Sequence, residues 1–206
     1  MREDALNALK TIVNSLSVKS VTEVAKSQEK KFIQSVPKEY TLNNGEKICR
    51  EEIVKGGTDG SAVIVVPVVG DKILTVVEPR VFTELTVGVG FPAGYINPEE
   101  PPLESAKREL REETGYEAQE FIELDSFYQD EGCSRALDMI YLAMGCEKKF
   151  QQELDKDEHI EYMLFEYDEL LELERMGYIR GGNSKLALLR MEKYFRKKWF
   201  NEKVWC

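Results

Sequence analysis

The chain has 206 residues, of which 42% are hydrophobic and 32% are charged, and this composition fits one globular domain with a small extension. The formal net charge of -10 argues against nucleic acid as a partner, because phosphate backbones are bound by basic surfaces. An acidic protein that handles phosphates needs metal ions as intermediaries.

The four cysteines and the N-terminal residues indicate the compartment. Cysteines at positions 49, 133, 146 and 206 lack the spacing of a disulfide framework or a zinc site. The N-terminus has acidic residues near its start, unlike the basic and then apolar plan of a signal peptide. No apolar run reaches membrane-spanning length. We therefore expect a cytoplasmic protein that has no membrane partner.

The first predicted element is an amphipathic helix over residues 3–16, within a helical extension that we assign to residues 1–38. Its apolar residues recur at three- and four-residue intervals: Leu6, Leu9, Ile12, Val13 and Leu16. This stripe has to be buried. We favour packing on the rest of the chain, and a partner or dimer surface is the alternative.

A β-hairpin is predicted over residues 39–60, around a turn at Asn43, Asn44 and Gly45. Asparagine and glycine readily adopt the positive φ that such turns need. The main domain is then assigned to residues 61–206.

Several apolar, β-branched runs of the main domain predict strands, and two further segments predict helices. The predicted strands cover residues 61–69, 72–77, 85–94, 121–128, 137–145 and 160–166. The predicted helices cover residues 168–177 and 184–199. Strands interrupted by an acidic helix and closed by two more helices predict an α/β fold, with a mixed β-sheet covered by helices.

The acidic helix is predicted between Pro101 and Gly115, because proline suits a first turn and glycine a last one. Glu109 and Glu113 lie one turn apart on one face, with Glu112 beside them. Like charges at this spacing destabilise a helix, so a bound cation would explain them. Carboxylate oxygens without histidine or thiolate favour magnesium or manganese.

This helix and the loop before it resemble the signature of the Nudix hydrolase family, G-x5-E-x7-R-E-U-x-E-E-x-G-U, where U is a bulky apolar residue. The residues in register are Gly94, Glu100, Arg108, Glu109, Leu110, Glu112, Glu113 and Gly115. Only Tyr116 departs, since an aliphatic residue is usual there. The resemblance implies the Nudix fold, a mixed β-sheet sandwiched between α-helices.

The resemblance also implies a Mg²⁺-dependent or Mn²⁺-dependent enzyme that cleaves the diphosphate bond of a nucleoside diphosphate linked to another moiety. By similarity the metal ligands are Glu109, Glu112, Glu113 and the carbonyl of Ala93. The catalytic residues implied are Arg108, Glu112 and Glu113, and Glu100 is expected to support the site as a substrate-binding residue.

In the ADP-ribose-type members a general base lies on an acidic loop after the signature, and residues 154–162 form such a loop here. Glu158 is the first choice for the base or an additional metal ligand, and Asp157 is the second. A solvated acidic loop without a catalytic role is the alternative.

Weaker resemblance to the ADP-ribose pyrophosphatase group extends over residues 40–195. Arg80 takes the place of an arginine that contacts the substrate phosphates in that group, and a surface arginine is the alternative reading. Gly90 and Asp130 stand where many members carry an acidic residue and a proline. The substrate is therefore left open between ADP-ribose and a nucleotide sugar.

Two functional classes follow from these observations. The first is a diphosphate hydrolase that gives AMP and a sugar phosphate. The second is a non-catalytic nucleotide sensor that controls a partner protein, for which intact glutamates are not required. By analogy with ADP-ribose-type relatives we expect a homodimer.

Overall fold

The computed structural model describes residues 1–22 and 32–195. Its helices are α1 (Glu3–Leu16), α2 (Pro102–Thr114), α3 (Tyr167–Arg175) and α4 (Gly182–Phe195). Its strands are β1 (Ile33–Thr41), β2 (Lys47–Lys55), β3 (Ala62–Val69), β4 (Lys72–Pro79), β5 (Val87–Gly90), β6 (Ala93–Tyr95), β7 (Tyr116–Glu117), β8 (Glu120–Tyr128), β9 (Leu137–Met144), β10 (Glu147–Lys148) and β11 (Glu161–Phe165). The end of the helix predicted for residues 184–199 lies outside the described residues.

Seven strands form one mixed sheet. Five of them follow the order β11-β4-β3-β9-β8, while β5 pairs with β4 and β6 pairs with β3. Strands β3 and β9 run parallel, and the other neighbours run antiparallel. This arrangement confirms the predicted mixed sheet.

Helices cover both faces of the sheet because its central strands are apolar on both sides. In β3, Val63 and Val65 pack on the α2 side, whereas Ile64 and Val66 pack on the side of α1, α3 and α4. Leu9 of α1 is fully buried in this second core. The prediction that α1 packs on the rest of the chain is thus confirmed.

The N-terminal hairpin is longer than predicted. Strand β1 begins at Ile33 and pairs with β2 over nine residue pairs, so the hairpin starts six residues before position 39. Most side chains of β1 are exposed, which explains why the apolar pattern did not reveal its first half. The turn lies at the predicted place, with Gly45 at φ +86°.

Within the described ranges, no helix is both long enough and apolar enough to cross a membrane.

Helix α2 begins and ends as predicted. Pro101 and Pro102 stand at its N-terminus, and Gly115 ends it in the left-handed conformation with φ +74°. A Cβ at Gly115 would stand 2.2 Å from the carbonyl oxygen of Phe150, so the end of the helix fits closely against a neighbouring loop. Glycine is therefore required here by both conformation and space.

Replacing Gly115 with alanine should lower the free energy of unfolding by about 3 kcal/mol, because backbone strain and a backbone clash add together. Gly57→Ala is the matched control, since Gly57 has φ +83° but no atom within 4 Å of the added Cβ. The control should cost only about 1 kcal/mol. Urea denaturation of both variants measures the difference, and equal losses would contradict the role of the Phe150 contact.

Candidate active site

The acidic helix α2 lies directly against β6, where Gly94 allows a very close approach. A Cβ added at Gly94 would stand 2.0 Å from Oε1 of Glu109, so any side chain at this position would displace the carboxylate. One residue earlier, the backbone N–H of Ala93 donates to Oε2 of Glu113 at 3.3 Å. Two of the three predicted glutamates are thus held against the backbone of the loop and strand that precede the helix.

Arg108 connects three of the four glutamates of the signature. Its Nε and Nη2 donate to the two carboxylate oxygens of Glu100, each at 3.0 Å. Its Nη1 donates to Oε1 of Glu109 at 2.6 Å and to Oε2 of Glu112 at 3.0 Å. The hydrogen bond from Arg108 is the main reason that the pKa of Glu100 is lowered. Since both oxygens of Glu100 are engaged, the geometry favours its supporting role over contact with substrate.

Glu109 and Glu113 are buried, with 8% and 5% of their surface exposed. Burial raises the pKa of Glu109, although Arg108 opposes this. Burial also raises the pKa of Glu113 well above its ordinary value, and the neighbouring charges of Glu78 and Glu109 raise it further. Buried carboxyls of like charge are costly to a fold, so a group of this kind is characteristic of a functional site.

Glu78 joins this group and is a residue that the sequence analysis missed. It lies near the end of β4, where burial raises the pKa of its carboxyl and Arg80 forms an ion pair with it. The sequence offered one indication of its role, because Glu78 is the acidic residue that interrupts the apolar run of β4. We name Glu78, Glu109 and Glu113 the acid cluster.

Glu158 lies beside the acid cluster. Its negative charge raises the pKa of Glu78, Glu109 and Glu113. Its Oε2 accepts a hydrogen bond of 2.9 Å from the backbone N–H of Asp155, which fixes the carboxylate on its loop. Asp157 and Glu158 are both exposed on this loop, and it is the charge of Glu158 that reaches the acid cluster. This proximity favours Glu158 over Asp157 as the acidic group near the site.

Glu112 differs from the other two glutamates of α2. Its side chain is 38% exposed and lines a groove on the outer side of the helix, together with Arg108 and Arg111. Its charge still raises the pKa of Glu109, so it lies at the edge of the acid cluster and not inside it.

Arg80 follows β4 and is placed where a substrate could meet it. Its backbone N–H donates to the carbonyl of Thr86 at 2.7 Å, which closes the loop over residues 80–86. The side chain lines two cavities, one of about 250 Å³ and one of about 390 Å³. Since Arg80 also pairs with Glu78, it stands between both cavities and the acid cluster.

The donor set suits a hard divalent cation, because it offers several carboxylate oxygens and the backbone of Ala93. Within residues 1–22 and 32–195, no three acidic, histidine or cysteine side chains already stand at metal-binding spacing. Arg108 accounts for part of this, since it holds Glu109 and Glu112. The pKa values of Glu109 and Glu113 are raised mainly by burial and further by neighbouring carboxylates, and a bound cation would oppose both effects.

In metal-free buffer, the acid cluster should make stability fall as the pH rises. A carboxyl whose pKa is raised by folding stabilises the folded state below its ordinary pKa of 4.5 and loses that contribution as the pH passes the folded value. Glu113→Gln removes the most perturbed carboxyl of the three, so this variant should be more stable than the wild type at neutral pH.

Urea unfolding in EDTA at pH 5 and pH 8 measures this effect. The advantage of Glu113→Gln should be larger at pH 8, and Glu104→Gln, an exposed change on the same helix, should show no such dependence. A difference between Glu113→Gln and wild type that is the same at both pH values would contradict the assignment.

Comparison with known proteins agrees with this geometry. The model of the NUDIX domain matches residues 58–183. The "ADP-ribose pyrophosphatase" of Bacillus subtilis (strain 168) is 35% identical over 145 residues, which cover 69% of this chain and 76% of that protein. The "Methanol dehydrogenase activator" of Bacillus methanolicus is 35% identical over 149 residues, covering 71% and 78%.

Two further similarities concern proteins described as hydrolases of ADP compounds. The "ADP compounds hydrolase NudE" of Escherichia coli (strain K12) is 37% identical over 86 residues, covering 42% of this chain and 44% of that protein. A crystal structure of an ADP compounds hydrolase superposes with a TM-score of 0.69 at 23% identity, covering 87% and 94% of the two chains, and so shows the fold. The domain match, the two relatives at 35% identity and the shared fold together show that this chain belongs to the Nudix hydrolase family.

Proposed function

We propose that the chain hydrolyses the diphosphate bond of a nucleoside diphosphate linked to another moiety, with ADP-ribose as the first candidate and a nucleotide sugar as the second. Cleavage of ADP-ribose gives AMP and ribose phosphate. The observation that carries the proposal is the acid cluster with Glu158 and Arg80 beside it. The names of the Bacillus subtilis and Escherichia coli relatives support a substrate that contains ADP.

The family uses divalent cations, and we propose Mg²⁺, or Mn²⁺ in its place. The groups that would hold it are the carboxylates of Glu109, Glu112 and Glu113 and the carbonyl of Ala93. Glu158 is an additional ligand in the alternative to its role as general base. Such an ion neutralises the diphosphate and lowers the pKa of a bound water. In an acidic protein, this compensates the repulsion between the carboxylates and the substrate.

The side chains around the acid cluster are assigned to phosphate binding, proton transfer and orientation of the glutamates. Arg80 reaches the substrate phosphates, for which a guanidinium is suited by its planar set of donors. Glu158 accepts a proton from the attacking water, as the general base. Arg108 and Glu100 orient Glu109 and Glu112 through the hydrogen bonds described above.

The proposal is tested with ADP-ribose, ADP-glucose, UDP-glucose, diadenosine polyphosphates and NADH, each with Mg²⁺ and a coupled phosphatase that releases phosphate from the products. ADP-ribose should be cleaved, and Glu113→Gln should lower kcat by about 100-fold or more, because it removes a charged group from the reaction centre. Glu104→Gln is the control, since its exposed ion pair with Lys107 lies outside the site. Full Mg²⁺-dependent activity in Glu113→Gln would contradict the proposed metal ligands.

A second candidate function is control of a partner protein. One relative at 35% identity is named a methanol dehydrogenase activator, and this name supports a function that acts on a partner protein. A sensor would bind the nucleotide without cleaving it. Absence of turnover across the substrate panel, together with heat stabilisation by the same compounds, would support this function and contradict the first.

We further propose that the chain forms a homodimer through its N-terminal hairpin. Strands β1 and β2 make a two-stranded sheet of their own, and such a hairpin is marginally stable without cover. Phe32, Ile33 and Tyr40 are large apolar residues exposed on or next to it.

Sedimentation equilibrium should give twice the mass of the chain, and Ile33→Glu should shift the protein to the monomer. A wild-type monomer at micromolar concentration would contradict the dimer.

We place the enzyme in the cytoplasm, in agreement with the unpaired thiols of Cys49, Cys133 and Cys146.

A further inference from the structure

The larger of the two cavities next to Arg80, about 390 Å³ in volume, contains polar groups to which the proposed chemistry gives no role. We name it the Asp138 cavity. On one side it is bordered by Arg80, Ala93 and Gly94, next to the acid cluster. On the other side it reaches Lys55, the last residue of the hairpin strand β2. The cavity therefore extends from the reaction centre to the N-terminal hairpin.

Asp138, in β9, is the buried acidic group of this cavity. Only 3% of its surface is exposed, and burial raises the pKa of its carboxyl. A carboxylate that lines a cavity accepts hydrogen bonds from hydroxyl or amino groups and repels phosphate. An uncharged group that carries a hydrogen-bond donor therefore suits Asp138 as a ligand.

A chain of hydrogen bonds holds Asp138 in place. Lys55 Nζ donates to Oε1 of Gln129 at 2.6 Å. The amide Nε2 of Gln129 donates to Oδ1 of Asp138 at 2.7 Å and to the carbonyl of Gly60 at 3.0 Å. Because an ammonium group can only donate, Lys55 fixes which way the amide points, and both amide hydrogens are then used. Gln129 therefore has a single orientation, in which it supports Asp138.

The cavity has opposite charges along its length. The guanidinium of Arg80 and the carboxyl of Asp138 both line it, together with the ring of Tyr95. A ligand with a diphosphate next to a sugar matches this polarity, with the diphosphate toward Arg80 and the sugar hydroxyls toward Asp138.

We propose that Asp138 is a specificity-determining residue that binds the hydroxyls of a ribose in the substrate, with Gln129 and Lys55 as positioning residues. This proposal rests on the proposed function, since it assigns one sugar of the same substrate to the Asp138 cavity. Carboxylates bind ribose hydroxyls in the same way in dinucleotide-binding domains of other folds. Lys55 precedes the part of the chain that matches the NUDIX domain, so the hairpin takes part in substrate selection.

The test compares ADP-ribose with its 2′-deoxy and 2″-deoxy forms, which lack one hydroxyl on the adenosine ribose and on the terminal ribose. In the wild type, kcat/KM should fall about tenfold for the form that lacks the hydroxyl bound by Asp138. Asp138→Asn should lose this preference, because its neutral amide no longer provides a charged acceptor. Which of the two deoxy forms is affected identifies the ribose in the cavity.

Asp125→Asn is the matched control, because Asp125 pairs with Arg190 away from the cavity, and it should keep the wild-type preference. Lys55→Met keeps Asp138 and should reduce the preference for ADP-ribose over the deoxy form at least threefold. If Asp138→Asn does not fold, the Lys55→Met variant tests the proposal in its place. Unchanged preference in Asp138→Asn or in Lys55→Met, or equal use of all three compounds by the wild type, would overturn the proposal.

Failure of the proposed function would give a different result. If the wild type cleaves no diphosphate compound, calorimetric binding of the same three compounds replaces kcat/KM. Tighter binding of ADP-ribose than of one deoxy form, lost in Asp138→Asn, would still support the subsite. Equal binding of all three compounds by the wild type, or an unchanged preference in the variant, would overturn it.

Discussion

The burial of several carboxyl groups against one strand is the constraint on which the rest of the site depends. The carboxylate of Glu109 occupies the space that a side chain at residue 94 would take. Glu113 is held there by the backbone of Ala93, and Arg108 offsets part of the charge of its neighbours. The apo fold bears the electrostatic cost of this arrangement, which a cation would relieve.

The fold supplies the rigidity that this arrangement needs. Ala106 and Leu110 anchor α2 in the core on one face of the sheet, and Gly115 ends the helix against the loop at Phe150. The glutamates of α2 are therefore placed by an element that cannot easily shift. Arg80 and Asp138, in contrast, lie at the ends of internal strands, since Arg80 follows β4 and Asp138 is the second residue of β9.

Much of the site was open to prediction because the signature lies in one continuous stretch. Spacing alone placed Glu109 and Glu113 on one helix face, and the burial of both side chains agrees with it. The burial of Glu78 and the chain from Lys55 to Asp138 were not predictable in this way. The residues involved belong to separate segments of the chain. No local sequence pattern predicts which of these segments become neighbours.

The sequence by itself determined the elements whose stability is local or periodic: the α2 boundaries, the central apolar strands, the hairpin turn and the family signature. The effects of proline, glycine and apolar spacing depend on residues that are close in sequence. They can therefore be predicted without the tertiary structure. Only the tertiary structure decided that β1 starts at Ile33, that Glu112 lies at the edge of the acid cluster, and that Glu78 lies close to the glutamates of α2. Strand pairing and burial decide these features, because both depend on residues far apart in the chain.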